Sequence, residues 1–200
     1  FWGAPRQDKN HAENACRAAL DLVKTVEAAG IKDSQGIPLQ LRIGVNSGEA
    51  LVGNIGSEQR LNYTAIGDVV NVASRLEGAN KVYGTLILIG PETRREAGDS
   101  VIVRELDTLT VFGRSEELVV YELIAMTDGY NPSRDWIEAY ERGLALYRAG
   151  QFENALSEFE TADQIRGGDL ASLAMVDKMR ELLASPPAAG WKPVTITEKS

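Results

Sequence analysis

The amino-acid sequence predicts an α+β fold, a sheet covered by helices on one side, with an all-helical extension at the C-terminal end. Three features carry that expectation. Apolar residues alternate with period two in several short segments and recur at helical spacing in others, and the two kinds of segment succeed one another through residues 1–126. Past the turn-forming stretch Gly129-Tyr130-Asn131-Pro132 only the helical pattern continues.

In residues 8–29 the small apolar residues Ala12, Ala15, Cys16, Ala19, Leu20, Val23 and Val26 fall on one helical face. They predict an amphipathic helix opened by Asp8 or Asn10 and closed by Gly30. Pro38 introduces an alternating strand over 39–45, Ser47-Gly48-Glu49 turns it, and 50–55 returns as its hairpin partner. Residues 56–63 read as a polar loop and 67–80 as a helix, with Val69, Val70, Ala73, Leu76 and Glu77 along its buried edge. A short apolar strand follows at 85–89, then a helix at 91–97 whose first turn tolerates Pro91. Strands at 101–112 and 117–124 join through Gly113-Arg114-Ser115. Helices are expected at 134–149, 152–166 and 169–184, separated by Gly150 and Gly167-Gly168, with Pro186-Pro187 ending the last. The organisation read from this pattern is a domain over 1–126, a linker over 127–135, a helical segment over 136–185 and an extended tail over 186–200.

The chain has 200 residues, 44% of them apolar and 25% charged, enough for a cooperative core. Its formal charge of -8 repels phosphate backbones, and Arg94, Arg95 and Arg104 are scattered among carboxylates rather than gathered in a patch. Nucleic acid is therefore not an expected partner. The single cysteine, Cys16, cannot form an internal disulfide and reads as a small core filler, which fits a reducing, cytoplasmic setting. No apolar run approaches the ~20 residues of a membrane span, so membrane attachment is expected only through segments outside this sequence. The opening Phe1-Trp2-Gly3-Ala4-Pro5 has no initiator methionine and reads as the middle of a longer polypeptide.

Chemistry concentrates in Leu61-Asn62-Tyr63-Thr64-Ala65-Ile66-Gly67-Asp68-Val69-Val70-Asn71-Val72-Ala73-Ser74-Arg75-Leu76-Glu77. Asn71 and Arg75 are four apart on the expected helix, so an amide and a guanidinium share one face. That pair suits a ligand with a polar ring and an anionic centre, and it is equally the composition of a solvated helix face. Gly44, Gly48, Gly53 and Gly56 do not form a phosphate cradle, because no strand–loop–helix context with a lysine follows, and His11 has no ligand partners in sequence.

The same stretch resembles the class III adenylate/guanylate cyclase signature Tyr-Thr-x-Ile-Gly-Asp-x-Val-Asn-x-Ala-x-Arg-Leu-Glu. Further matches bracket it. They are Phe1-Trp2-Gly3-Ala4-Pro5 with His11-Ala12 and Ala15-Cys16, Arg42-Ile43-Gly44-Val45-Asn46-Ser47-Gly48-Glu49, Val52-Gly53-Asn54-Ile55-Gly56, and Leu106-Asp107 through Val120-Tyr121-Glu122-Leu123. The resemblance spans residues 1–125. It implies a ferredoxin-like α+β domain without its N-terminal part, working as a head-to-tail homodimer with active sites at the interface. It also implies a phosphorus–oxygen lyase, an adenylate cyclase converting ATP to 3′,5′-cyclic AMP and pyrophosphate. By position, Asn71 would orient the ribose and Arg75 would stabilise charge on the α-phosphate. Thr64 and Ala65 would meet the purine, with Thr at that position marking a largely bacterial-type subclass that takes adenine. Two divalent ions, Mg²⁺ or Mn²⁺, would be held by aspartates that the family carries ahead of the position of Phe1, so no metal ligand is expected in this chain. Asp8 and Asp68 are no substitutes for them. The family's Lys-Gly-Lys stands here as Phe112-Gly113-Arg114, leaving Arg114 as either a triphosphate contact or an exposed turn residue.

In the helical extension, Gly143, Tyr147, Gly150, Phe152, Ala155, Phe159 and Ala162 resemble one tetratricopeptide repeat, whose small residues let two helices approach. Trp136, Tyr140 and Leu144 are expected to dock on the preceding domain or on its dimer mate. Two further readings stay open at this point: a catalytically silent regulatory or dimerisation module, and an interaction scaffold led by the helical extension.

Overall fold

The computed structural model describes residues 1–57, 60–111, 117–129, 133–188 and 190–197. Small side chains on one face let α1 (His11–Ala29) lie close to the sheet, and Ala12, Ala15, Cys16, Ala19 and Leu20 are its buried residues. Asp8 does not open this helix; it sits ahead of it, accepting from the Asn10 backbone N–H and the Asn14 side chain, each at 2.9 Å. Burial among these residues pushes the Cys16 thiol up to about 12, as suits an inert core thiol.

After α1 come β1 (Ile43–Val45), β2 (Leu51–Ser57), β3 (Arg60–Ile66), α2 (Asp68–Tyr83), β4 (Ile87–Ile89) and α3 (Pro91–Ala97). The long strands β5 (Val101–Val111) and β6 (Glu117–Met126) follow, then α4 (Asp135–Arg148), α5 (Phe152–Arg166), α6 (Leu170–Ala184) and β7 (Thr195–Thr197). The main sheet has the order β1-β4-β6-β5-β7, and β2 and β3 form a separate two-stranded sheet. The mixed α+β character expected from sequence is present.

Three expectations about the first strands are corrected. Strand β1 does not form a hairpin with β2: it runs parallel to β4, with Ile43, Gly44 and Val45 opposite Ile87, Leu88 and Ile89. Parallel neighbours need a crossover, and α2 supplies it. The strand is also shorter than 39–45, because Pro38 instead closes an isolated bridge with Lys32. Finally, residues read as a polar loop belong to β3, which pairs antiparallel with β2 from Leu51↔Ile66 to Ser57↔Arg60.

Helices cover both faces of the main sheet, not one. In β4, Ile87 and Ile89 pack with α1, whereas Leu88 between them packs with α2 and the C-terminal helices. The period-two alternation of one buried strand thus feeds two cores. The second core is continuous from Leu76 and Tyr83 of α2, through Leu106 and Leu109 of β5, to Tyr140, Phe159 and Met175 of α4, α5 and α6. Tyr140 donates its hydroxyl to the Leu106 carbonyl at 3.0 Å, and a Cβ on Gly143 would meet the Phe159 ring at 3.0 Å. The extension is helical to Ala184, and in the tail beyond it β7 joins β5 in parallel at Leu109↔Thr195. Elsewhere on β5, the Glu105 N–H donates to the Glu141 carboxylate and the Thr108 N–H to that of Asp107.

Arg104, one of the arginines that the sequence scatters among carboxylates, is fully buried and stands opposite Glu122 in the β5–β6 register. Its guanidinium donates to Glu122 and to Asp169 and lies 4.7 Å and 4.3 Å from the Trp136 and Tyr140 ring centres. Arg166 completes the group, donating to Asp169 at 2.7 Å and to Glu122 at 3.3 Å. The signal was legible: Arg104 shares its strand face with Ile102, a core-facing register.

A second buried group joins the same elements. Asp107 accepts from the Tyr83 hydroxyl at 3.0 Å, from Thr195 and from Lys178 at 3.4 Å. Burial pulls the Lys178 ammonium below its usual range, and the Asp107 charge offsets part of that shift.

Candidate active site

Strand β3 and helix α2 are consecutive, joined at Gly67, so the sequence delivers Thr64, Ala65, Asn71 and Arg75 within one strand–helix unit. Thr64 and Ala65 are held in register by β2, opposite Gly53 and Val52. Both are half-buried and border a cleft of about 1120 Å³ whose other walls include Asn46, Val69, Val70 and Ala73. Asn71 and Arg75 lie outside that cleft, one turn apart on α2.

Helix α2 buries Leu76, Ala79, Asn80 and Tyr83. This corrects the expected edge, because Val70 is 41% exposed and Glu77 is exposed as well. The first turns of α2 border the cleft as well as the core, so Val69, Val72 and Ala73 are half-buried while Val70 faces outward. Asn71 is exposed and Arg75 half-buried off the apolar stripe. Neither side chain has a hydrogen bond or ion pair among the described residues. A forked donor and an amide therefore stand side by side, uncommitted to the protein's own carboxylates.

Thr64 does not cap α2. The N-cap is Gly67, without a side-chain cap hydrogen bond, and Asp68 places a carboxylate in the first turn, where it complements the helix dipole. Arg114, together with Phe112 and Gly113, lies outside the described residues. His11 sits 3.3 Å from Glu96 at the start of α1. Among the described residues no three His, Cys, Asp or Glu side chains converge as a metal-ligand set. The described residues thus do not fit the two divalent ions that the family resemblance implies. None of the helices, among the described residues, is long and apolar enough to cross a membrane.

Comparison with known proteins bears on this geometry. The family model for the adenylate and guanylate cyclase catalytic domain matches residues 1–124. Adenylate cyclase 1 of Rhizobium meliloti (strain 1021) is 43% identical over 133 residues, 66% of this chain and 20% of its own length. The terminal-differentiation-specific adenylate cyclase of Dictyostelium discoideum is 32% identical over 183 residues, 87% of this chain and 8% of its own length. Among solved structures, the adenylyl cyclase CyaB from P. aeruginosa is 30% identical with a TM-score of 0.53, over 64% of this chain and 67% of that one. The guanylate cyclase domain of RhGC from Catenaria anguillulae, solved in complex with GTP, is 29% identical with a TM-score of 0.52, over 62% and 65% of the two chains. The chain spans a fifth or less of the length of these two curated relatives.

Proposed function

The chain belongs to the adenylate and guanylate cyclase catalytic domain family, a family of lyases, and from that premise we propose that it supplies the base-, ribose- and α-phosphate-binding half of an adenylate cyclase active site. The observation that carries this reading is the uncommitted pair Asn71 and Arg75 on α2, directly after the strand that sets Thr64 and Ala65 at the cleft. Asn71 orients the ribose. Arg75 holds a fixed positive charge against the α-phosphate while the 3′-oxygen bonds to its phosphorus, the bond to the bridging oxygen breaks and pyrophosphate leaves. Arg114 is assigned to the triphosphate. The carboxylates for Mg²⁺ or Mn²⁺ are assigned to residues ahead of the position of Phe1, supplied by the other protomer in a head-to-tail homodimer of the complete polypeptide. Exposed Leu51, Leu61, Tyr63 and Ile66 on the β2–β3 hairpin give that partner an apolar surface to cover. The catalytic domain is assigned to the cytoplasm, and the helices α4 and α5 to a tetratricopeptide-like pair.

Two-ion chemistry needs carboxylates to hold the ions that polarise the attacking and leaving oxygens. The purified 200-residue chain is therefore expected to form no cyclic AMP from ATP with Mg²⁺ or Mn²⁺. Turnover by a preparation free of contaminating cyclase would refute the assignment of those ligands to residues outside it.

ATP in preference to GTP is the finer part of the proposal, and Thr64 carries it. A hydroxyl accepts from the adenine amine, and because it can also donate to the carbonyl that guanine presents, it discriminates less sharply than a carboxylate. A site matched to one pattern leaves buried groups unpaired with the other, typically costing ~1–3 kcal/mol per group. Since Gly67 and not Thr64 occupies the cap position of α2, Thr64→Ala should narrow the ratio of kcat/KM for ATP over GTP without loosening the helix. The measurement is competition kinetics on the complete enzyme. Equal use of both nucleotides by the unsubstituted protein would remove Thr64 from the purine site.

A further inference from the structure

We propose that Asn46 is a positioning residue for this reaction, fixing the first turn of α2 so that Asn71 and Arg75 meet the nucleotide in one orientation. The inference rests on the active-site reading above and adds to it a residue that lies off the strand–helix unit and acts through its hold on the helix. Asn46 directly follows β1 and donates its side-chain amide to the Val69 carbonyl at 3.2 Å. Val69 precedes Asn71 by two residues on the same helix.

The rest of α2 is held against β1 in a graded way. In the middle, Gly44 lies so close beneath the helix that a Cβ there would overlap the Ala73 carbonyl oxygen and the Glu77 backbone nitrogen. Towards the end, Asn80 is fully buried, donates to the Ile43 carbonyl at 3.0 Å and accepts from the Thr85 hydroxyl at 2.9 Å. Buried Leu76, Ala79 and Tyr83 add core packing over the same stretch. The first turn buries less: Val70 is exposed and Val69, half-buried, borders the cleft. The Asn46 amide ties that turn directly to the end of β1. Gly90 opens the space for it, since a Cβ on Gly90 would overlap the Asn46 side-chain oxygen. β1, the β4–α3 junction and α2 thus converge on one carboxamide.

Positioning of this kind acts on rate, because a displacement of about 1 Å remote from the chemistry can cost ~10²-fold. Asn46→Asp keeps the size of the side chain but turns an oxygen towards the Val69 carbonyl in place of the amide donor. In the complete dimeric enzyme it is expected to lower kcat about tenfold with KM changed less than about twofold. In an Arg75→Ala background the same change should lower the residual kcat by clearly less, about threefold, because of the two groups it positions only Asn71 remains. Gly90→Ala, which displaces the same carboxamide from the other side, should reproduce both results, and melting temperatures identify any variant that has simply lost its fold. A side chain that only supported the fold would reduce active protein equally in both backgrounds. Equal losses in the two backgrounds, an unchanged kcat, or an effect confined to KM would overturn the role of Asn46 and leave the active-site reading standing. Undiminished kcat in Arg75→Ala would instead overturn that reading.

Discussion

Arg75→Ala in the complete enzyme is expected to lower kcat by ~10²–10³ with little change in nucleotide affinity. The expectation follows from where its charge is needed. The α-phosphate gains negative charge only as the 3′-oxygen attacks, so a guanidinium aimed there binds the transition state more strongly than the ground state. No described carboxylate neutralises Arg75, and its place on a helix packed against β1 limits the reorganisation it must undergo. Asn71→Ala, which loses ribose orientation rather than charge, should act in the same direction and more mildly. Steady-state kinetics separate the outcomes. A variant of Arg75 that raises KM alone would show that the residue binds nucleotide without favouring the reaction.

Arg104→Ala is expected to destabilise the fold by ~3–5 kcal/mol, a large part of the ~5–15 kcal/mol that holds a typical domain folded. The substitution leaves Glu122 and Asp169 buried with only the more exposed Arg166 to answer them. It also removes the cation from between the Trp136 and Tyr140 rings. Asp169 is doubly committed, since it also caps α6 through the Ser172 N–H. Burial alone would push the Asp169 carboxyl up, but hydrogen bonds and charge from Arg104, with Ser172 and Arg166, hold it below the usual carboxylate range. Its contribution is therefore complete above the ordinary carboxylate range and is lost only as pH falls through the lowered value. Urea unfolding should show a lower midpoint at an unchanged slope. A midpoint within experimental scatter of the parent would mean that the cation is dispensable. The prediction lives on stability, so the surviving folded fraction should keep its kcat.

The elements that were legible in the sequence are those whose partners lie nearby or whose burial is strongly periodic. Helix α1 showed its small-residue stripe and glycine end, α5 its flanking glycines, α6 its closing prolines, and β5 and β6 their bounding turns, so the observed spans fall within a few residues of expectation. The β1–β2 hairpin was misread because Ser47-Gly48-Glu49 has turn composition, while the true partner of β1 lies beyond α2 and leaves no local trace. Strand β3 was missed because the β2–β3 sheet stands off the core: Leu61 and Tyr63 are exposed, so burial imposes no alternation on it. In the proposed site, spacing showed that Asn71 and Arg75 share one helix face, while their roles came from the family resemblance and not from the spacing. Asn46 was not legible, because its partner is a backbone carbonyl 23 residues away, and a carbonyl has no sequence signature.

The margins of the main sheet differ in a way that bears on association between chains. At the β5 margin, backbone groups are already taken: the Glu105 and Thr108 N–H groups by carboxylates, and the stretch from Leu109 to Val111 by β7. That margin is blunted against edge-to-edge pairing, the route by which exposed strands template aggregation. At the opposite end, β1 has β4 as its sheet neighbour and presents its other side outward. A strand contributed by another polypeptide, or by another stretch of the same one, would therefore add beside Ile43, Gly44 and Val45. That addition would lengthen the sheet on the side where α2 rests and leave the side closed by β7 unchanged.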